Sequence, residues 1–309
     1  MTLSNATSAT FDKITIIDDC GLTNPVLEKL STLSAKPVTI FNDFPQTNDE
    51  ILERISDSDC VLVSWHTKIN AGILQASKSL RFIGMCCSLY DEKSANVDIE
   101  AAQKLGVEVK GVRDYGDEGT VEFIFAQLIY LFKGLGKITW RHEATELKNK
   151  KIGIIGFGTL GQMVAKTAIH FGMQVFYFSR TRKYQLENEQ VNYLALEALL
   201  ETCDVITTHL PKNTTLLTEN EFKIKKANSI FVNTSLGPTF EKEALIKWLL
   251  KDKASFAIFD AAGAGEFINE IRQLDNAIVS DQFAGFTIEA KHRLSEKVLE
   301  NLTAFLARG

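Results

Sequence analysis

Short apolar runs alternate with amphipathic segments along almost the whole chain, and this alternation restricts the possible folds more than any other feature. A spacing of roughly 20–25 residues between such runs is typical of repeated β-α units on a parallel sheet. Runs that are nearly all apolar indicate strands buried on both faces. We therefore predict an α/β fold with strands at 13–17, 38–41, 60–64, 81–84 and 107–110, and then at 151–155, 174–178, 204–208, 229–232, 255–259 and 277–280.

A long helical pattern at 120–133 interrupts the alternation, because no strand-like run lies beside it. A second long pattern, with Thr287 in the N-cap position, predicts a last helix that ends near residue 307. A chain of 309 residues is long enough for two domains that each bury their own core. The sequence therefore predicts two α/β domains.

Composition and charge exclude several classes of partner. The net charge is −5 and there is no basic tract, which argues against binding of nucleic acid. No apolar run reaches the roughly 18 residues of a membrane helix, and residues 1–13 lack the apolar core of a signal peptide. The five cysteines are odd in number and no pair has zinc-ligand spacing. We expect a cytoplasmic protein with a small-molecule ligand and no metal.

The segment 156–161 has the pattern Gly-x-Gly-x-x-Gly between a predicted strand and a predicted helix. Gly156 permits a tight turn, Gly158 lets the backbone approach a pyrophosphate, and Gly161 lets the helix pack closely on the strand. The N–H groups at the helix start then hold the phosphates. We predict a dinucleotide site that includes Gly156, Gly158, Thr159, Leu160 and Gly161. A tight turn without a ligand is the alternative.

The loop after the next predicted strand indicates which dinucleotide is favoured. NAD sites usually place a carboxylate there, about 20 residues beyond the glycine motif, to bind the ribose 2′-hydroxyl. This chain contains Ser179, Arg180, Thr181 and Arg182 instead, so that a hydroxyl and two guanidinium groups face a 2′-phosphate. We predict NADP(H) in preference to NAD(H), with a solvated basic turn as the alternative.

The order and spacing of several motifs resemble the D-isomer-specific 2-hydroxyacid dehydrogenases. The resemblance extends from residue 13 to residue 306, and besides the glycine loop and its entry at 146–151 it rests on 97–102, 115–122, 208–215, 231–235 and 259–260. It implies further cofactor contacts from His209, Leu210, Pro211, Thr215, Thr234, Ser235 and Asp260.

The same resemblance implies two flavodoxin-like or Rossmann-like lobes with parallel sheets and a cleft between them. The substrate-binding lobe would consist of 1–119 and 287–309, and the dinucleotide-binding lobe of 120–286. Family members are usually homodimers that associate through their nucleotide-binding lobes. The implied reaction is hydride transfer between NADP(H) and a 2-keto or 2-hydroxy acid or a related compound.

The catalytic Arg and His of that family are missing at the matching positions. Leu236 stands at the Arg position and Gln282 at the His position, while Glu266 lies one residue beyond the Glu position. Leucine cannot pair with a substrate carboxylate, and glutamine donates a hydrogen bond but does not titrate near neutral pH. The chemistry is therefore expected to be slow or to use other residues.

Two residues in the first half of the chain are candidates for the missing roles. His66 follows the third predicted strand, and Arg113 precedes the helix at 120–133. A surface histidine and a loop arginine paired with Asp114 or Asp117 are the alternatives. The catalytic candidates are Gln282, Glu266, Arg113 and His66. A second interpretation is a protein that keeps the dinucleotide site without the chemistry and acts as an NADPH-binding sensor or interaction partner.

Overall fold

The computed structural model of the protein describes residues 10–212 and 214–308. The chain divides into two compact units, one made of the part up to Tyr115 together with the part from Ile288 onwards, and the other of Gly116–Thr287. Each unit contains one parallel β-sheet, so the predicted α/β class with two parallel sheets is confirmed. The expected boundaries at 119/120 and 286/287 lie close to these unit boundaries, while the roles expected of the two lobes stay predictions.

The first unit is completed by a helix from the far end of the chain. Its strands are β1 (Ile14–Ile16), β2 (Thr39–Ile40), β3 (Cys60–Val63), β4 (Phe82–Ser88) and β5 (Glu108–Val112), and its first helices are α1 (Asn24–Thr32), α2 (Asn48–Ile55), α3 (Ala71–Ala76) and α4 (Ile99–Lys104). The sheet has the order β2-β1-β3-β4-β5. Leu294, Val298 and Leu302 of the last helix, Ile288–Leu306, pack with Leu62 and Phe82 in one buried cluster.

The second unit begins with helix α5 (Asp117–Lys133), which ends at Gly134 in the left-handed conformation. Its strands are β6 (Lys151–Ile155), β7 (Gln174–Phe178), β8 (Val191–Tyr193), β9 (Val205–Thr208), β10 (Ile230–Asn233), β11 (Phe256–Phe259) and β12 (Ala277–Val279). Its other helices are α6 (Thr159–His170), α7 (Leu196–Thr202), α8 (Glu219–Ile224), α9 (Lys242–Lys251) and α10 (Ile268–Ile271). The helix Ile288–Leu306, which belongs to the first unit, is numbered α11. Strand β8 was not predicted from the sequence.

The strand order of the second sheet locates a ligand site. The order is β12-β11-β10-β9-β6-β7-β8, with all pairs parallel. From β6 the chain proceeds to one side through β7 and β8, and then to the other side through β9 to β12. The direction reverses between β6 and β9, and sheets of this kind bind ligands beyond the carboxyl ends of their strands at such a reversal.

Two kinds of feature are absent from the described part of the chain. No helix within 10–212 and 214–308 is both long and apolar enough to span a membrane. The same residues contain no group of three or more His, Cys, Asp or Glu side chains that could hold a metal ion.

Candidate dinucleotide-binding site

A sharp turn at Gly156 joins β6 to α6 at the point where the strand order reverses. Gly156 has a φ of 95°, and its N–H donates to the carbonyl of Phe178 at the end of β7 (2.9 Å). A Cβ atom on Gly156 would lie only 2.1 Å from the carbonyl oxygen of His209, at the end of β9. The conformation and the close approach of a neighbouring strand both require glycine at this position.

The other two glycines shape the space above the start of α6. A Cβ on Gly161 would lie 2.2 Å from the carbonyl oxygen of Gly156, so only glycine lets the helix approach the turn this closely. A Cβ on Gly158 would meet no atom within 4 Å, because this residue borders open space. No side chain caps the helix at Gly158, so the first N–H groups, which include those of Thr159 and Leu160, face that space. The geometry fits a pyrophosphate group.

The basic turn after β7 lies beside the glycine turn, because Phe178 pairs with Ile155 in the sheet. The Ser179 hydroxyl donates to the carbonyl of Thr181 (2.7 Å), and the Arg180 side chain is exposed. The Arg182 guanidinium is bound to a carboxylate further along the same loop. The two arginines, which sequence analysis treated alike, therefore have different environments.

His209 follows β9 and has a buried imidazole. Its Nε2 atom lies 3.1 Å from the Thr207 hydroxyl, and its Nδ1 atom is buried with no hydrogen-bond partner among the described residues. Burial lowers the pKa of His209 to about 3, so the ring is neutral at physiological pH and cannot serve as a general acid there. Its main-chain N–H donates to the carbonyl of Ile155 (2.7 Å), which fixes the loop beside the glycine turn.

The residues after His209 lie along the same edge of the sheet. The N–H of Leu210 donates to the hydroxyl of Ser235 (3.1 Å), which in turn donates to the carbonyl of Thr208 (3.2 Å). Pro211 and Thr215 are exposed on the following loop. The ends of β9 and β10 are thus held together by Ser235, one of the predicted cofactor residues.

Asn233, at the end of β10, organises this edge and was missed as a site residue in the sequence. It is fully buried, and its amide donates to the carbonyls of Gly237 (3.0 Å) and Gly263 (2.8 Å). Its Oδ1 atom accepts from the hydroxyl of Thr208 (2.8 Å) and from the N–H of Ser235 (3.1 Å). A polar residue at the end of an otherwise apolar run was the available sign, since carboxyl ends of parallel strands carry sites.

Two further predicted cofactor residues have contrasting surroundings. The hydroxyl oxygen of Thr234 is buried and has no hydrogen-bond partner among the described residues, and the same holds for His209 Nδ1 on the adjacent strand end. The carboxylate of Asp260 is buried and already accepts from the N–H groups of Gly263 (2.8 Å) and Ala284 (2.9 Å). Desolvation outweighs these hydrogen bonds and raises the pKa of Asp260. Asp260 therefore ties the loops that follow β11 and β12.

The two catalytic candidates of the second unit, Glu266 and Gln282, and Leu236 at the position of the family's Arg lie on loops at the same carboxyl edge. Leu236 is half-buried on the loop after β10, Glu266 is exposed on a short 3₁₀ turn after β11, and Gln282 is exposed after β12. The backbone of Gln282 is fixed, because its carbonyl accepts from Ala261 N (3.0 Å) and its N–H donates to the Ser280 hydroxyl (3.0 Å). The sheet brings these three side chains to one edge, and their roles stay predictions.

The two candidates of the first unit have local partners. The exposed His66 ring packs against Trp65 and Phe44, with ring centroids 3.7 and 4.4 Å away. The Arg113 guanidinium donates to the carbonyls of Leu89 (2.7 Å) and Tyr90 (2.8 Å). Both arginine contacts are with backbone carbonyls, which differs from the ion pair considered as the alternative in the sequence.

A buried carboxylate that sequence analysis missed holds the loop that carries His66. Asp18 is fully buried after β1, and it accepts from both the N–H and the hydroxyl of Ser64, each at 2.8 Å. The Ser64 hydroxyl oxygen also accepts from the N–H of His66 (3.2 Å). Asp18 thereby links the ends of two adjacent strands, β1 and β3.

Comparison with solved structures gives many chains of the same fold. One is an acyclic imino acid reductase in complex with NADPH and D-Arg, with a TM-score of 0.81 and 24% identity, covering 96% of this chain and 97% of that one. Another is an NAD⁺-bound 3-phosphoglycerate dehydrogenase of Entamoeba histolytica, with a TM-score of 0.77 and 22% identity, covering 97% of this chain and 96% of that one. At these identities the likeness establishes the fold.

Sequence comparison establishes the family. Residues 133–281 match the model of the D-isomer specific 2-hydroxyacid dehydrogenase NAD binding domain, so this segment is a nicotinamide-cofactor domain. The glyoxylate reductase of Thermococcus litoralis is 31% identical and the match covers 82% of each chain. That of Pyrococcus furiosus is 30% identical over 83% of this chain and 82% of its own. The resemblance seen in the sequence is confirmed, and the chain belongs to the D-isomer-specific 2-hydroxyacid dehydrogenase family.

Proposed function

We propose that this protein transfers hydride between NADP(H) and a 2-keto or 2-hydroxy acid or a related compound. The observation that carries the proposal is the turn of Gly156, Gly158 and Gly161 at the reversal of strand order, with open space above the start of α6. The names of the relatives, several of which are glyoxylate reductases, support a small 2-keto acid as substrate class.

The choice of NADP(H) over NAD(H) rests on the turn after β7. This turn contains no carboxylate at the position where NAD sites bind the 2′-hydroxyl, and Arg180 is exposed with its guanidinium available. A charge-assisted hydrogen bond contributes about 1.5–3 kcal/mol when well formed, so a preference of at least about tenfold needs one such contact.

Nucleotide-fluorescence titration tests this choice. We expect NADPH to bind at least about tenfold more tightly than NADH, and Arg180→Ala to remove most of the difference while leaving NADH affinity unchanged. Lys251→Ala, which removes an exposed positive charge at the end of α9, is the matched control. Equal affinities for the two nucleotides in the unmodified protein would refute the preference for NADP(H).

The catalytic roles follow from what each side chain can donate or accept. The bound dinucleotide supplies hydride, and the Gln282 amide would donate a hydrogen bond to the substrate carbonyl oxygen as negative charge develops there. Glutamine does not release a proton, so the proton must come from another group. Glu266 and His66 are the proposed candidates for proton transfer. Arg113 is the proposed partner of the substrate carboxylate, which Leu236 cannot bind.

A second function is favoured by the same substitutions. Leu236 and Gln282 stand at the positions of the family's Arg and His, and neither can bind a carboxylate or donate a proton as those residues do. Every glycine of the dinucleotide turn is nevertheless present. The chain would then be an NADPH-binding sensor or interaction protein. Steady-state oxidation of NADPH with glyoxylate, hydroxypyruvate and pyruvate separates the two, because only the first function gives turnover above that of the nucleotide alone.

We also propose a homodimer that associates through the second unit. Three large apolar side chains in and near α5 are exposed in the single chain: Tyr130 (56%), Leu135 (62%) and Phe171 (36%). Sedimentation of the unmodified protein should give twice the chain mass, and Leu135→Glu should shift it towards the monomer. A monomer at all concentrations would contradict this.

The five free, buried cysteines support a reducing compartment, and we propose the cytoplasm.

A further inference from the structure

Glu187 binds one of the two arginines that the sequence assigns to the cofactor. The Nε and Nη2 atoms of Arg182 donate to Oε1 and Oε2 of Glu187, both at 2.7 Å. This is a bidentate pair, the strongest geometry for a guanidinium and a carboxylate. The Glu187 side chain is only 19% exposed, so the pair is partly shielded from water.

Aromatic residues hold this pair in place. The Arg182 guanidinium lies over the rings of Tyr184 (4.6 Å) and Tyr193 (4.8 Å). The hydroxyl of the buried Tyr177 donates to Glu187 Oε1 (3.0 Å) and accepts from the N–H of Lys183 (2.8 Å). The guanidinium is therefore held by two aromatic rings and, along one edge, by the carboxylate of Glu187.

The same contacts connect the pair to the glycine turn. The Phe157 ring, between the first two glycines, stacks on the Tyr177 ring with centroids 4.2 Å apart and an angle of 21° between planes. Tyr177 in turn holds Glu187. The Arg182–Glu187 pair is thus connected to the glycine turn through Tyr177 and Phe157.

The net charge of the pair is zero, and this changes what the basic turn offers a phosphate. Arg180 is exposed on the same turn and keeps its whole positive charge. Glu187 cancels the charge of Arg182, so the pair adds no net attraction for a 2′-phosphate, whereas an unpaired Arg182 would add one within about one Debye length. We propose that Glu187 is a specificity-determining residue that limits the preference for the phosphorylated dinucleotide, with Arg180 as the phosphate contact and Arg182 as the counter-charge of Glu187.

This inference rests on the proposed dinucleotide binding and is tested by Glu187→Gln. Glutamine keeps one acceptor for Arg182 and Tyr177 but removes the negative charge. We expect NADPH and 2′,5′-ADP to bind about 3–10-fold more tightly, while the affinities for NADH and 5′-ADP change by less than about twofold. Glu189→Gln, on an exposed residue of the same loop, is the control and should change each affinity by less than about twofold.

A second pair of variants tests the role of Arg182. Arg182→Ala leaves the Glu187 carboxylate without its counter-charge, so we expect NADPH affinity to fall more than NADH affinity. Adding Glu187→Gln to Arg182→Ala should restore NADPH affinity to within about threefold of the unmodified protein. If Arg182 were itself the phosphate ligand, the double variant would bind NADPH as weakly as Arg182→Ala.

The outcomes separate this inference from the proposed function. Failure of the unmodified protein to bind either dinucleotide would refute the dinucleotide site itself. Binding of both dinucleotides with an unchanged or lowered preference for NADPH in Glu187→Gln would overturn the role of Glu187 alone. Because NADH affinity reports on the folded site, a variant that keeps NADH binding is correctly folded. If Glu187→Gln alone does not fold, the double variant of Arg182→Ala and Glu187→Gln provides the same test.

Discussion

Asn233→Ala is expected to destabilise the second unit strongly, because this side chain satisfies four groups at the end of β10. It donates to the carbonyls of Gly237 and Gly263 and accepts from Ser235 N–H and the Thr208 hydroxyl. The hydroxyl keeps another partner, whereas alanine leaves the three backbone groups unsatisfied in a buried site. At roughly 1–2 kcal/mol for each group, the free energy of unfolding should fall by about 3–6 kcal/mol.

Asn276→Ala is the matched control at the opposite edge of the same sheet. Its buried amide donates to the carbonyls of Leu249 (2.9 Å), Asp252 (3.3 Å) and Ser255 (2.8 Å) before β12 begins. Its Oδ1 atom has no partner among the described residues, so alanine loses only the donor side. We expect a loss of about 2–4 kcal/mol with no effect on the carboxyl edge.

Thermal unfolding and nucleotide titration on the same samples distinguish the two variants. The midpoint should fall by about 2–4 °C for each kcal/mol in a unit of this size. Below the transition, Asn233→Ala should weaken dinucleotide binding at least about tenfold, because it releases the loops after β10 and β11, and Asn276→Ala should change binding by less than about twofold. Equal effects on affinity, or a loss of under about 1 kcal/mol for Asn233→Ala, would refute the reasoning.

Burial lowers the pKa of Lys225 from 10.5 to about 7, so the unfolded chain binds the extra proton between these values and the free energy of unfolding should rise with pH there, by at most about 1.4 kcal/mol per pH unit. Denaturant titrations across that window should show the slope, and Lys225→Met should flatten it. The unmodified protein should reduce 2-keto acids with a kcat/KM lower by several orders of magnitude than that of an enzyme with Arg and His at positions 236 and 282. The double variant Leu236→Arg, Gln282→His should give measurable NADPH oxidation. Robust turnover by the unmodified protein would show that the catalytic residues are wrongly assigned. A fragment of residues 1–115 should not fold alone, because it lacks the apolar stripe of Ile288–Leu306, and its recovery as a stable monomer would contradict this.

The sheets could be predicted from the sequence because most of their strands are buried and appear as short apolar runs. Within residues 10–212 and 214–308, eleven of the twelve strands lie in or overlap the predicted runs. Strand β8 was missed because it has three residues, lies at the edge of its sheet and exposes its central Asn192. With a polar residue at its centre, this segment contains no apolar run.

The candidate site could be predicted only where the backbone restricts the residue type. A φ of 95° at Gly156 and a Cβ position 2.2 Å from a carbonyl oxygen at Gly161 leave glycine as the only choice, so the pattern is visible in the sequence. Asn233 is equally fixed in the fold, but its partners lie at the end of β9 and on the loops after β10 and β11. Those partners come together only after the strands have been ordered, and a single sequence does not contain that order.

The two arginines after β7 show the same limit for charge. In the sequence Arg180 and Arg182 are equivalent cations at the position where a 2′-phosphate binds, whereas the structure gives Arg182 a carboxylate partner and leaves Arg180 exposed. Glu187 is five residues beyond Arg182, and two residues of the sheet contact the pair, Tyr177 through Glu187 and Tyr193 through Arg182. Counting positive side chains therefore overestimates the attraction for phosphate by one charge. Because the affinity depends on net charge near the ligand, the preference of this family member for a dinucleotide has to be derived from ion pairs rather than from the motif.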